Sequence, residues 1–136
     1  MARQNISSGT TWEASAGYSR AVRMGNLIWV SGTTAADENT QPVAVGDAYG
    51  QTMYIFRKIE RALHQAGATL KDVVRTRTYI TNGEDTEAVS RAHGEIFGEI
   101  RPANTLIVVA ALVGTEYLVE IEVDAYLESP INPSAS

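Results

Sequence analysis

The groups in this sequence that could do chemistry are a carboxylate at Glu120, a hydroxyl at Ser31, a phenol at Tyr18 and imidazoles at His64 and His93. Glu120 sits where Val119, Ile121, Val123 and Ala125 alternate with Glu120, Glu122, Asp124 and Tyr126, so one strand face is core and Glu120 belongs to the other. Two fates fit such a residue. It is a solvated strand residue, salt-bridged to Arg75 or Arg77 if the strands are neighbours. Alternatively, a semi-buried cleft raises its pKa by desolvation and makes it fit to orient or deprotonate water. Ser31 stands in Val30-Ser31-Gly32-Thr33, which lacks the flanking glycines of an esterase elbow, and no base can be paired with it. It reads as a hydrogen-bonder to a ligand or as an ordinary strand-end hydroxyl. Tyr18 follows Gly17 in a loop, as a wall or phenolic donor over a cleft or as a packing tyrosine. The histidines show no two-ligand helical spacing, so no metal site is expected. His93 lies on a helical stripe with Val89 and Phe97 and reads first as a packed histidine, second as a base. Gly46 and Gly50 lack the lysine of a phosphate loop, and nothing supports nucleotide binding.

These groups need a scaffold, and 136 residues with 44% hydrophobic and 20% charged content supply one globular domain. The domain is expected over residues 1–128, followed by a flexible tail over 129–136 that is rich in serine and proline. A net charge of -5 repels polyphosphate, so nucleic acid is an unexpected partner. Cysteine is absent, which removes disulfides, thiolate nucleophiles and thiolate metal sites. The N-terminal residues lack the apolar run of a signal peptide. The longest apolar stretch, Leu106 to Val113, is far short of a membrane span. The expectation is a soluble, cytoplasmic protein without a membrane partner.

Along the chain, Ala21–Met24 and Leu27–Ser31 flank a Gly25-Asn26 turn and predict a hairpin. Asp47 caps a predicted helix that runs to about Ala66, with Gly67 as its stop. Val73 to Ile80 predicts a strand ended by Asn82-Gly83, and a second helix runs from about Asp85 to Phe97. Strands over Thr105 to Ala110 and Tyr117 to Tyr126 close a β-β-α-β-α-β-β order, an α+β domain with two helices on one sheet face. In the hairpin, Leu27 and Trp29 face one way and Ile28 and Val30 the other, so both faces want cover. A lone subunit would expose Trp29, Leu27, Leu106, Val108 and Tyr79 together, and association through the sheet is the economical remedy.

Five segments carry a family likeness: Gly17 to Val22, Gly25 to Gly32, Asp72 to Thr81, Arg101-Pro102-Ala103-Asn104-Thr105 and Val119-Glu120-Ile121-Glu122. Over roughly residues 15–127, in the same order and spacing, the sequence resembles the RidA family, also called YjgF/YER057c/UK114. The resemblance implies a chorismate-mutase-like α+β subunit. It also implies a homotrimeric barrel with its mixed sheets inward and clefts between neighbours. It further implies enamine/imine deaminase chemistry on a small-molecule ligand, with no metal and no cofactor.

Carried onto this sequence, the family's cleft tyrosine falls on Tyr18, its serine and glycine on Ser31 and Gly32, and its water-positioning glutamate on Glu120. The substrate-binding arginine falls on Asn104, the cleft asparagine of the second helix on Ser90, and the nearby cysteine on Leu106. An amide cannot grip a carboxylate as a guanidinium does, through two charge-assisted bonds. The resemblance thus points to an arginine-less branch, whose substrate depends less on a carboxylate than 2-aminoacrylate does. Glu120 is the expected catalytic residue with His93 as the secondary candidate, and Tyr18, Ser31, Gly32, Ser90 and Asn104 are the expected substrate-binding residues. The expected function is hydrolysis of an imine, enamine or related unsaturated nitrogen compound. The alternative is a small-metabolite-binding trimer that has lost the chemistry.

Overall fold

The computed structural model describes residues 2–128; the expected tail over 129–136 lies outside them. The hairpin forms as its turn demands. Strands β2 (Ala21–Met24) and β3 (Leu27–Thr33) pair in the register Met24 opposite Leu27, with Gly25 at a φ of 58° that a side chain would resist. Two elements precede it that the sequence does not announce, strand β1 (Arg3–Ile6) and helix α1 (Thr11–Ala16). Arg3, Gln4 and Asn5 are exposed along an edge that pairs with β2, so β1 carries almost no hydrophobic signal.

Helix α2 (Ala48–Gln65) starts where Asp47 accepts a hydrogen bond from the Gly50 amide at 2.9 Å, and the chain leaves it through Gly67 at a φ of 88°. Its buried face, including Ile55, Phe56, Ile59 and Leu63, lies on the sheet. Strand β4 (Val73–Ile80) follows, then a short turn over Gly83–Asp85 opened by the Asn82 side chain, then helix α3 (Thr86–Phe97). That turn uses the first residue expected of the helix and delays it by one position. Strands β5 (Ala103–Val108) and β6 (Val119–Tyr126) complete the fold, β5 two residues earlier and β6 two residues shorter than expected.

The six strands lie in the order β1-β2-β3-β6-β4-β5, with β4 and β5 parallel and all other pairs antiparallel. This is a mixed sheet with α2 and α3 packed together against one face, as expected. Every second residue of β6 is buried, namely Val119, Ile121, Val123 and Ala125, and this row meets Ile28, Val30 and Ile80 under the helices.

The other face is open in the single chain, where Leu27 and Trp29 are 45% and 43% exposed. One expectation about that face is corrected. Leu106 and Val108 pair in parallel register with the buried Thr78 and Ile80, so they share the helix-covered face. Their neighbour Ile107, opposite Tyr79 and 45% exposed, lies on the open face instead. The apolar and aromatic row across the open face is thus Leu27, Trp29, Tyr79 and Ile107.

Candidate functional site

Glu120 pairs with Tyr79 in the β4–β6 register and belongs to the open face. The salt bridge envisaged for it does not form: Arg77 binds Asp124 at 3.3 Å, and this is the one ion pair among the described residues. Glu122, next on the same face, accepts a hydrogen bond from the Tyr79 hydroxyl. The Glu120 carboxylate instead lies over the backbone of Gly32, where a β-carbon would collide with it. Between Val30 and Thr33 the β3–β6 register slips, setting Ser31 and Gly32 opposite Glu122 as a bulge that opens this space. Burial pushes the Glu120 pKa up, Arg20 pulls it back and Glu122 adds to the rise. The result is a half-buried carboxylate that holds a proton more readily than an exposed one.

Arg20 ties this corner together. Its guanidinium donates to the Gly32 carbonyl at 2.6 Å and lies 5.9 Å from the centre of the Tyr18 ring. Arg20 has no part in the sequence-based site, although the hairpin turn contains the signal. Met24 opposite Leu27 sets Arg20 opposite Ser31, and the Ser31 amide donates to the Arg20 carbonyl at 3.0 Å. Tyr18 is placed by α1 rather than by a free loop: Gly17 closes that helix in the left-handed conformation, and the Tyr18 amide donates to the Glu13 carbonyl. The Ser31 hydroxyl donates to the Ser19 carbonyl at 2.7 Å, so its oxygen is left as an acceptor.

Asn104, Ser90 and His93 gather elsewhere, around a cavity of about 240 Å³ that Thr78 and Leu106 also line. Thr76 joins two of them, although no motif in the sequence singles it out. Its hydroxyl donates to Asn104 Oδ1 at 3.0 Å and meets His93 Nε2 at 2.8 Å. With the Thr76 proton on Asn104, His93 Nε2 is the donor to Thr76. The imidazole packs against Phe97 and Phe56, with ring centres 4.9 Å and 5.8 Å away, and burial lowers its pKa. This relay fixes the Asn104 oxygen and leaves the amide nitrogen as the group to offer a ligand.

The expected residues therefore fall into two groups. Tyr18, Ser31, Gly32 and Glu120 form one, and Ser90, His93 and Asn104 form the other. The sheet separates them. Asn104 is opposite Thr76, which is opposite the core residue Val123, whereas Glu120 belongs to the opposite face. One chain cannot close both around one small molecule. No cluster of three or more histidine, cysteine or carboxylate side chains suited to a metal occurs among the described residues. No helix there is long and apolar enough to cross a membrane.

Known proteins resemble the chain over almost all of this framework. A model of the family described as Endoribonuclease L-PSP matches residues 9–127. A crystal structure from Mycobacterium tuberculosis, described as a member of the YjgF/YER057c/UK114 family, is 46% identical with a TM-score of 0.84, covering 93% of this chain and 100% of that one. A RutC family protein of Pyrococcus abyssi is 35% identical over 82% of this chain and 87% of its own length. The 3-aminoacrylate deaminase RutC of Acinetobacter baylyi is 36% identical over 76% of this chain and 82% of its own.

Proposed function

Since the chain belongs to the Endoribonuclease L-PSP family, the YjgF/YER057c/UK114 group, we propose that it is a homotrimeric hydrolase of small imines or enamines. Its site is a cleft between subunits, to which one copy brings Glu120, Gly32, Ser31 and Tyr18 and its neighbour brings Asn104, Ser90 and His93. The observation that carries this reading is the position of Glu120, a half-buried carboxylate over the bare backbone of Gly32 on a face the helices leave open. The name of the Acinetobacter baylyi relative, a 3-aminoacrylate deaminase, supports the reaction class. The family description also names an endoribonuclease. A chain of net charge -5 is poorly matched to a polyanion, which favours the small-molecule reading.

In the proposed reaction Glu120 takes a proton from water as the oxygen attacks the C=N carbon, and the proton passes to nitrogen. The carbinolamine then expels ammonia, so that one imine and one water become one carbonyl compound and one ammonia. An enamine enters after protonation at carbon to its imine. Tyr18 walls the cleft, and the Ser31 oxygen accepts from the substrate nitrogen. Asn104, held by Thr76 and His93, donates its amide to an oxygen or unsaturated nitrogen of the substrate. His93, with Nε2 donating to Thr76, acts in this reading as a positioning residue.

An amide at position 104 makes a carboxylate on the substrate dispensable. Imines released by an amine oxidase should be hydrolysed in preference to 2-aminoacrylate or the imino acids from an amino-acid oxidase. Asn104→Arg should reverse the order, raising kcat/KM for imino acids by about tenfold or more through paired charge-assisted bonds. The check is ammonia release from both imine classes. An unchanged preference would remove Asn104 from the substrate contact. A wild type that binds such imines without releasing ammonia would establish the binding-protein alternative, which the loss of arginine at position 104 favours.

The same carboxylate predicts a pH profile. Turnover requires Glu120 ionised, and its pKa lies above the ordinary 4.5, so kcat/KM should fall as pH drops through that raised value. Arg20→Met removes the cation that opposes the rise, so the acid limb should move to higher pH. A limb that stays in place would separate Glu120 from the titration.

A further inference from the structure

We infer that the cavity between the segment after β1 and helix α2, walled by Arg20, Lys58 and Arg61, is a binding site for a small oxyanion, a carboxylate or phosphate group. Three cations line one concavity of about 150 Å³, and Ser7, Ser8 and Gln65 share its wall. None of the three has a carboxylate within ion-pair distance, since Arg77–Asp124 is the one ion pair among the described residues. The nearest acids act only through space: Glu13 and Glu120 on Arg20, and Asp37 on Lys58. Glu13 is already occupied, accepting from the Ser8 amide at 3.1 Å, the Ser8 hydroxyl and the Thr10 hydroxyl at 3.3 Å.

A second observation points to a ligand. Arg20 Nε is buried with no hydrogen-bond partner, and it is the one buried side-chain polar atom of this kind among the described residues. A charged donor left unpaired in the interior is costly, and an oxyanion in the cavity would offset that cost through space. Other donors stand ready. Lys58 Nζ uses one hydrogen on the Thr34 carbonyl at 2.7 Å and keeps two. Burial and the neighbouring arginines push the Lys58 pKa down to about 8, the behaviour of a cation held beside like charges with no anion between them. The volume is below that of a drug-sized pocket, about 300 Å³, and suits one anionic group. Although Arg20 also holds the Gly32 carbonyl, the site does not depend on the hydrolase proposal, because Arg20, Lys58 and Arg61 would bind an anion whether or not Glu120 catalyses.

Titration calorimetry of the full chain at pH 8 and low ionic strength, with inorganic phosphate and separately with malonate, tests the inference. One or both should bind saturably and more tightly than chloride at matched ionic strength. Protons should be taken up, because the anion stabilises the Lys58 ammonium. This uptake is read from the dependence of the heat on buffer ionisation enthalpy. Lys58→Gln and Arg61→Gln should each weaken binding about tenfold or more, with melting temperatures showing that both variants fold. Tighter phosphate binding would assign a phosphorylated ligand, and tighter malonate binding a carboxylate. Affinity no greater than for chloride, or unchanged in both folded variants, would overturn the site.

Discussion

Glu120→Gln is expected to lower turnover by about 10²–10⁴-fold, the usual size of a general-base contribution, while leaving ligand binding largely intact. The amide has almost the same shape and fits the same space over Gly32, so the fold has little reason to respond. What disappears is the group that accepts a proton from attacking water. Ammonia release and ligand binding, measured together, check this. Binding lost in step with turnover would make Glu120 a ligand contact, and undiminished turnover would remove it from the mechanism.

Trp29→Glu should have an equally large effect by a different route. In the single chain Trp29 is 43% exposed on the open face, opposite Asp124 in the β3–β6 register, so a carboxylate there costs the isolated subunit little. Within an interface it is desolvated beside Asp124, at a cost of several kcal/mol for an unpaired charge. Light scattering should give the mass of three chains for the wild type and of one for the variant, with circular dichroism unchanged. Turnover should vanish although Glu120 and Asn104 are both present. A variant that keeps the three-chain mass would show that the open face is not the contact.

Most of the sheet is legible in the sequence because its strands carry their own phase. The alternation of β6 and the Gly25-Asn26 turn set which residues face the helices before any partner is known. Strand β5 has no such marker. Leu106, Ile107 and Val108 are apolar on both parities, and only their pairing with β4 shows that Leu106 faces α3 while Ile107 faces outward. Strand β1 is invisible because an exposed edge strand needs hydrogen bonds rather than hydrophobic residues.

The candidate site divides along the same line. Residues near one another in the hairpin register, such as Ser31, Gly32 and Arg20, are within reach of sequence reasoning, although Arg20 shows its part only once its side chain is placed on the Gly32 carbonyl. The link from His93 through Thr76 to Asn104 joins α3, β4 and β5, and no spacing in the sequence encodes it.

In the proposed trimer, two groups on opposite faces of one sheet work together only across a subunit boundary. Mixed assemblies test it most directly. Glu120→Gln removes one group, and Ser90→Trp fills the cavity of the other from an exposed helix position. Each variant alone should be inactive towards imines from an amine oxidase. Unfolded together in equal amounts and refolded, they should recover about a quarter of the wild-type activity per site, the share in which an intact Glu120 meets an intact cavity by random assembly. Mixed assemblies that form and stay inactive would contradict a shared site.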